Sequence, residues 1–235
     1  MNTSLGRFYG VGVGPGDPNL LTLRAVEVLQ SVDIIALPKS RLDRESVAWD
    51  IAKNHCRQGV RLLELEMPMT DNRETLENAW STGAQQVSEE LKLGNSVAFI
   101  TLGDPSLYST YSYVLKHLMR LTPNLMVETI PGITAMSAAA AKINLPLATG
   151  DEPLLVLPSA EDVDKYTEFP NLVLMKVSRR LPQLLTTLSQ AKKEAVLLTR
   201  IGQKGEEICR SPIASDFSEG KIDYLSLMLV REENE

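Results

Sequence analysis

The chain reads as an α/β protein of two domains, the first on a mostly parallel five-stranded sheet and the second on a mixed sheet. Three observations predict this. At 235 residues with 43% apolar and 23% charged positions, it has the length and composition of one large folded unit or two small ones, not of a disordered or fibrous chain. Short β-branched runs alternate with longer segments of helical period, as successive βαβ units do. After Pro131–Gly132 that rhythm changes, which sets the expected boundary between domains at residues 1–131 and 132–235.

In the first half, Phe8–Val13, Asp33–Leu37, Arg61–Leu65, Val97–Thr101 and Met126–Ile130 are nearly continuous apolar runs, as strands covered on both faces require. Between them, Leu21/Ala25/Val28/Leu29, Val47/Ala48/Ile51/Ala52, Leu76/Trp80/Gly83/Val87/Leu91 and Leu107/Tyr111/Val114/Leu118 recur at three- and four-residue spacing. Each set is one buried stripe of a helix. Asp71-x-x-Glu74 resembles a capping box for the third helix, and Gly94 stands where a left-handed C-terminal residue belongs. In the second half an Ala-rich helix, Ala135–Lys142, precedes strand-like Leu154–Leu157, Leu172–Lys176 and Ala195–Thr199. Glu207–Ile213 and Tyr224–Val230 lack a helix between them and are expected to close the sheet as antiparallel strands. The methionines from Met67 to Met228 and the two tryptophans read as core filling, and Glu232–Glu235 as a frayed terminus.

Composition removes several function classes. Lys and Arg total 24 against 30 Asp and Glu, a net charge of −6, which argues against general phosphate-backbone binding. Aromatics at 5% leave little for base stacking. No apolar run approaches the roughly 20 residues of a membrane span, and no leader-like segment opens the chain, so a cytoplasmic protein is expected. Cys56 and Cys209 form no metal or redox pair, and His55 and His117 have no ligand spacing. Reduced thiols and no protein-borne metal are therefore expected.

Chemistry concentrates in three loops. Gly10-x-Gly12-x-Gly14-Pro15-Gly16-Asp17 follows the first strand, but no register meets the dinucleotide fingerprint and no phosphate-loop Lys-Ser/Thr is present. It is either a tight strand-to-helix turn or a place where backbone approaches a ligand. Thr101-Leu102-Gly103-Asp104-Pro105-Ser106-Leu107-Tyr108-Ser109-Thr110 ends the fourth strand, where open α/β sheets place ligands, and it carries one carboxylate and a run of hydroxyls. That density favours ligand binding over simple helix capping. Ile130-Pro131-Gly132-Ile133-Thr134-Ala135 ends the fifth strand on the same rim, so two small-residue loops at a domain boundary define a ligand cleft.

The segments GVGVGPGDPNLLTLRA, VAFITLGDPSLYST and VETIPGITAMSAAAA, in this order and spacing, resemble the tetrapyrrole methylases, which use S-adenosylmethionine. Within that family, MPMTDNRETLENAW followed by GDPSLYSTYSYV is similar to the members that methylate carbon 20 of precorrin-2 or of its cobalt-containing counterpart, cobalt-factor II. The resemblance implies two α/β domains with the methyl donor in the cleft between them, a tetrapyrrole substrate and a homodimer. By matched position it implies donor contacts at Leu102, Gly103, Asp104, Leu107, Tyr108, Thr134, Ala135, Met175, Lys176, Arg200, Ile201, Leu225 and Ser226. It also implies that Pro15 and Gly16 floor the substrate trough. Where the uroporphyrinogen methylase has an acidic residue after the second strand, this chain has Leu37-Pro38-Lys39-Ser40-Arg41, so no base is transferred from there.

A base is dispensable for the methylation itself, because the donor carries its leaving group and the reduced macrocycle carbon is electron-rich; later proton loss would fall to Asp104, Tyr108 or water. A polycarboxylate substrate needs local cations against the global charge, and Lys39, Arg41 and Arg44 cluster on the active rim, with Lys176, Arg179 and Arg180 after a later strand. The alternatives are another tetrapyrrole carbon methylase, a family member acting on protein or RNA, or a non-catalytic nucleotide-binding module.

Overall fold

The computed structural model describes residues 4–40, 46–217 and 222–232. The chain divides after Thr134 into two compact units.

The first unit runs β1 (Phe8–Gly12), α1 (Leu23–Ser31), β2 (Ile34–Lys39), α2 (Val47–Ala52), β3 (Arg61–Glu66), α3 (Arg73–Lys92), β4 (Val97–Thr101), α4 (Tyr111–Leu121) and β5 (Val127–Ile130). Its sheet has the order β3-β2-β4-β1-β5, and every pairing is parallel. Alternation along each strand sorts side chains to two faces. Val11, Ile35, Leu37, Ala98 and Ile100 pack beneath α1 and α2. Phe8, Ile34, Ala36, Val97 and Phe99 pack beneath α3 and α4. Double coverage explains the continuous apolar runs in the sequence.

Caps account for the helix ends. The Thr22 hydroxyl accepts from the Ala25 amide at 3.1 Å to start α1. The start of α3 differs from the expected capping box: Asn72, not Asp71, is the N-cap, its side chain accepting from the Thr75 amide at 3.0 Å. The unpaired Thr75 amide needs a short side-chain acceptor three residues earlier, and Asn72 stands at that spacing while Asp71 does not. Gly94 ends α3 with φ +88, as expected. At the opposite rim from the strand exits, Asp33 accepts from the Ser96 amide at 2.9 Å and hydroxyl at 2.7 Å, joining the entries of β2 and β4.

The second unit runs α5 (Ala135–Ile143), β6 (Leu154–Leu157), β7 (Asn171–Met175), α6 (Leu181–Gln190), β8 (Lys193–Thr199), β9 (Glu207–Arg210) and β10 (Ser226–Glu232). The sheet is mixed, with order β6-β7-β10-β8-β9: β6 and β7 are parallel and the remaining pairs antiparallel. The last strand does not close an edge as a terminal hairpin would. It inserts between β7 and β8, and β9 takes the edge. Met228 and Val230 face the core beneath Leu181, Leu184, Leu185 and Leu188 of α6, while α5 packs against β10. Strict apolar content over Leu227–Val230, all buried, is the mark of this central position. The methionines divide: Met67 and Met228 are buried, whereas Met69, Met119 and Met126 are exposed and do not fill the core.

Candidate functional site

In the first unit α1 carries the chain from β1 toward β2, and α4 carries it from β4 toward β5, in opposite senses across the sheet. The exits of β1 and β4 are therefore the switch point at which open α/β sheets leave a crevice. Two glycines, Gly12 and Gly132, let the loops at this rim close on one another. A Cβ on Gly12 would stand 2.6 Å from the Gly132 nitrogen and 2.7 Å from the Gly103 carbonyl oxygen; one on Gly132 would overlap that same oxygen. Gly10 serves a different end, because its missing Cβ makes room for the Tyr111 ring, whose hydroxyl bonds Thr129 at 2.7 Å. The first glycine motif is thus largely a packing device in which backbone meets backbone. Gly14 and Gly103 exchange amide hydrogen bonds, at 3.2 and 2.8 Å, and both have positive φ. Gly103 turns its open side away: nothing lies within 4 Å of where its Cβ would be.

Asp104 is 9% exposed and ties this rim together. Its Oδ1 accepts from the Ser106 amide at 2.8 Å and from the Ser106 hydroxyl, and its Oδ2 accepts from the Gly132 amide at 2.9 Å. Burial opposes the charge, but the Ser106 hydroxyl and the Gly132 and Ser106 amides outweigh it and hold the carboxyl below its ordinary range. Of the hydroxyls in this loop, that of Ser109 bonds Thr101 at 2.9 Å and accepts from the Tyr111 amide at 3.2 Å. The Ser106 and Ser109 hydroxyls therefore engage the loop itself, which the density of hydroxyls in the sequence did not disclose. Tyr108 is 48% exposed and left-handed at φ 51, an uncommon conformation for an aromatic residue. Leu102, Leu107 and Thr134 are half-buried on the same loops.

The expected substrate residues are placed less simply. Pro15 and Gly16 are buried and present little surface. The Lys39 ammonium lies 2.5 Å from a Glu64 carboxylate oxygen, its side chain 13% exposed, so β3 already balances its charge. Arg41 and Arg44 lie outside the described residues.

In the second unit the strand order gathers six expected contacts at one end of the sheet. Met175 and Lys176 end β7, Arg200 and Ile201 follow β8, and Leu225 and Ser226 begin β10 between them. Lys176 and Arg200 are both left-handed, at φ 55 and 53. Their amides donate to the Ser226 and Leu225 carbonyls at 2.9 and 2.7 Å. The Lys176 ammonium stands over the Tyr224 ring, and Arg200 reaches Asp223 at 3.3 Å. Sequence reasoning missed Asp223 and Tyr224, for which only proximity to Leu225 was a signal. Among the described residues, Ser226 Oγ and Arg200 Nε are buried side-chain polar atoms with no hydrogen-bond partner. Buried polar atoms are ordinarily satisfied, so these two stand out against the rule. Ala135 opens α5 at the start of this unit.

A family profile described as tetrapyrrole (corrin/porphyrin) methylases matches residues 7–215. The chain is 37% identical over 233 residues to a protein of Methanocaldococcus jannaschii named "Probable cobalt-precorrin-2 C(20)-methyltransferase", with 98% of each chain covered. It is 32% identical over 240 residues to the precorrin-2 C(20)-methyltransferase of Sinorhizobium sp, covering 96% of this chain and 95% of that one. A solved uroporphyrin-III C-methyl transferase from Thermus thermophilus, complexed with S-adenyl homocysteine, shares the fold, with a TM-score of 0.67 at 21% identity and 97% and 98% of the two chains covered.

Proposed function

The chain belongs to the tetrapyrrole (corrin/porphyrin) methylase family, and from that premise we propose that it transfers a methyl group from S-adenosylmethionine to carbon 20 of precorrin-2 or of its cobalt-containing counterpart. The observation that carries this reading is the 37% identity to a C(20)-methyltransferase across nearly the whole of both chains. The relative that acts on the metal-free ring is 32% identical, so both rings stand as candidate substrates.

The residues present fit such a donor. Gly103 offers unobstructed backbone, and Ser226 Oγ and Arg200 Nε offer unmatched polar atoms. When bound, S-adenosylmethionine supplies its own leaving group and positive charge. The work left to the chain is to hold two reactants in line and exclude water, which can lower a barrier by about 7–11 kcal/mol. In the proposal Leu102, Gly103, Asp104, Leu107, Tyr108 and Thr134 serve the donor from the first unit. Ala135, Met175, Lys176, Arg200, Ile201, Leu225 and Ser226 serve it from the second. Pro15, Gly16, Lys39, Arg41 and Arg44 are assigned to the substrate, and the reading includes a homodimer acting in the cytoplasm.

Incubating the pure protein with S-adenosylmethionine and either metal-free precorrin-2 or cobalt-factor II tests this directly. With a donor carrying a 13C-methyl group, the expected product bears one new methyl group in place of a hydrogen, and the label sits at carbon 20. Methylation at another carbon, or of neither ring, would overturn the assignment.

A further inference from the structure

We propose that Asp104 is a positioning residue, a strut that joins the exits of β4 and β5 across β1 and so sets the backbone to which the methyl donor binds. This rests on the methylase reading above for its function, though not for its geometry.

The argument begins with the sheet. β1 lies between β4 and β5, so the two loops leave the sheet two strand spacings apart, roughly 10 Å, beyond the reach of a ladder hydrogen bond. Two features close that gap. Gly12 ends β1 without a side chain, which lets the Gly103 carbonyl and the Gly132 amide approach over it. Asp104 then spans the remaining distance: Oδ1 is fixed by Ser106 of its own loop, and Oδ2 receives the Gly132 amide at 2.9 Å. On its other side the β4 loop is held by the paired amides of Gly14 and Gly103. The Gly103 backbone is therefore fixed from both flanks.

The chemistry of the carboxylate agrees. Three donors take three of the roughly four acceptor positions on the two oxygens of a residue that is 9% exposed, so little is left to receive a proton. The same donors keep the group ionised well below neutrality. Such a group is a firm anchor and a poor proton acceptor. An amide in its place cannot serve both loops, because one of its two heads presents N–H to an N–H.

The test compares wild type with Asp104→Ala, Asp104→Asn and Ser106→Ala. Amide exchange at Gly132, read by NMR without any ligand, should accelerate by about tenfold or more in both Asp104 variants. S-adenosylhomocysteine affinity should fall by about tenfold in the same two variants, with KM for the donor rising by a larger factor than kcat falls. Ser106→Ala keeps the Gly132 bond but loses one donor, so the acid limb of S-adenosylhomocysteine binding should move to higher pH while affinity at neutrality is largely retained. Unchanged Gly132 exchange in both Asp104 variants would overturn the strut. So would unchanged product affinity combined with a collapse of kcat and loss of a limb of its pH profile, since that is how a proton acceptor behaves. A wild type that does not bind S-adenosylhomocysteine would instead defeat the methylase reading, and the exchange measurement would still decide the strut.

Discussion

The carbonyl oxygen of Gly103 occupies the position that a side chain on Gly132 would need, and the Gly12 backbone carbon stands 2.8 Å from the same point. Backbone cannot swing aside as a side chain can, so Gly132→Ala should force the β5 loop outward. We expect a loss of about 1–3 kcal/mol, read from the urea midpoint at constant slope. Gly103→Ala meets no atom but must hold φ +71, and should cost less, about 1–2 kcal/mol. Equal costs, or the reverse order, would contradict the packing of these loops.

Gly10 and Tyr111 form a second pair of this kind, in which a Cβ would stand 2.7 Å from the Tyr111 hydroxyl and overlap the ring itself. Gly10→Ala should destabilise by about 1–3 kcal/mol in the wild type and by far less once Tyr111 is Ala. A double-mutant cycle with no coupling would show that the ring does not lie on Gly10.

Gly10 and Gly12 stand in one motif in the sequence, yet one makes room for the Tyr111 ring and the other for the Gly103 and Gly132 backbone, and this marks how far the sequence was legible. Double coverage of the first sheet can be read from Phe8–Val13 and Val97–Thr101 because burial on both faces leaves an apolar run. Which loops touch depends on strand order, and no local pattern encodes that β1 lies between β4 and β5. For the same reason the insertion of β10 between β7 and β8 was not visible. The residues Met175, Lys176, Arg200, Ile201, Leu225 and Ser226 came from family resemblance, and only the strand order explains why they share one end of a sheet.

Acid should loosen the rim opposite the site. Hydrogen bonds from the Ser96 hydroxyl and amide, with Arg57 beside them, hold the Asp33 carboxyl below its ordinary value. A depressed folded value means the stabilisation is present above the unfolded value, near 3.9, and is lost as the pH falls through the folded one. Solvent screens this partly exposed carboxylate, so Asp33→Asn should reduce stability at neutrality by only about 1 kcal/mol and flatten its decline below about pH 4. Parallel acid unfolding curves for the two proteins would exclude this contribution.

Burial pushes the Cys56 thiol up to about 11. Its reactive thiolate is correspondingly scarce at pH 8. Native Cys56 should react with a thiol reagent at least about tenfold more slowly than it does in the urea-unfolded chain at that pH, and the rate should climb toward pH 11. The sign for stability follows: the folded chain retains this proton between 9 and 11 while the unfolded chain loses it, so stability falls as the pH rises through that interval. Rapid native labelling at pH 8 would show that the thiol is not shielded.

Ser226 separates stability from function most sharply. Its hydroxyl is buried with no partner, beside a β10 backbone already engaged by Lys176 and Arg200. An unmatched hydroxyl is a cost to the folded chain, so Ser226→Ala should leave stability unchanged or raise it by about 1 kcal/mol. A merely structural serine would behave in the opposite way, because its replacement would break a bond. If a polar group of the donor completes this site, the same substitution should weaken S-adenosylhomocysteine binding by about three- to tenfold, while Ser226→Thr retains part of the affinity. Calorimetric titration beside thermal unfolding reads both quantities on one sample. Lower stability with unchanged affinity would place the hydroxyl in the scaffold and remove Ser226 from the donor site.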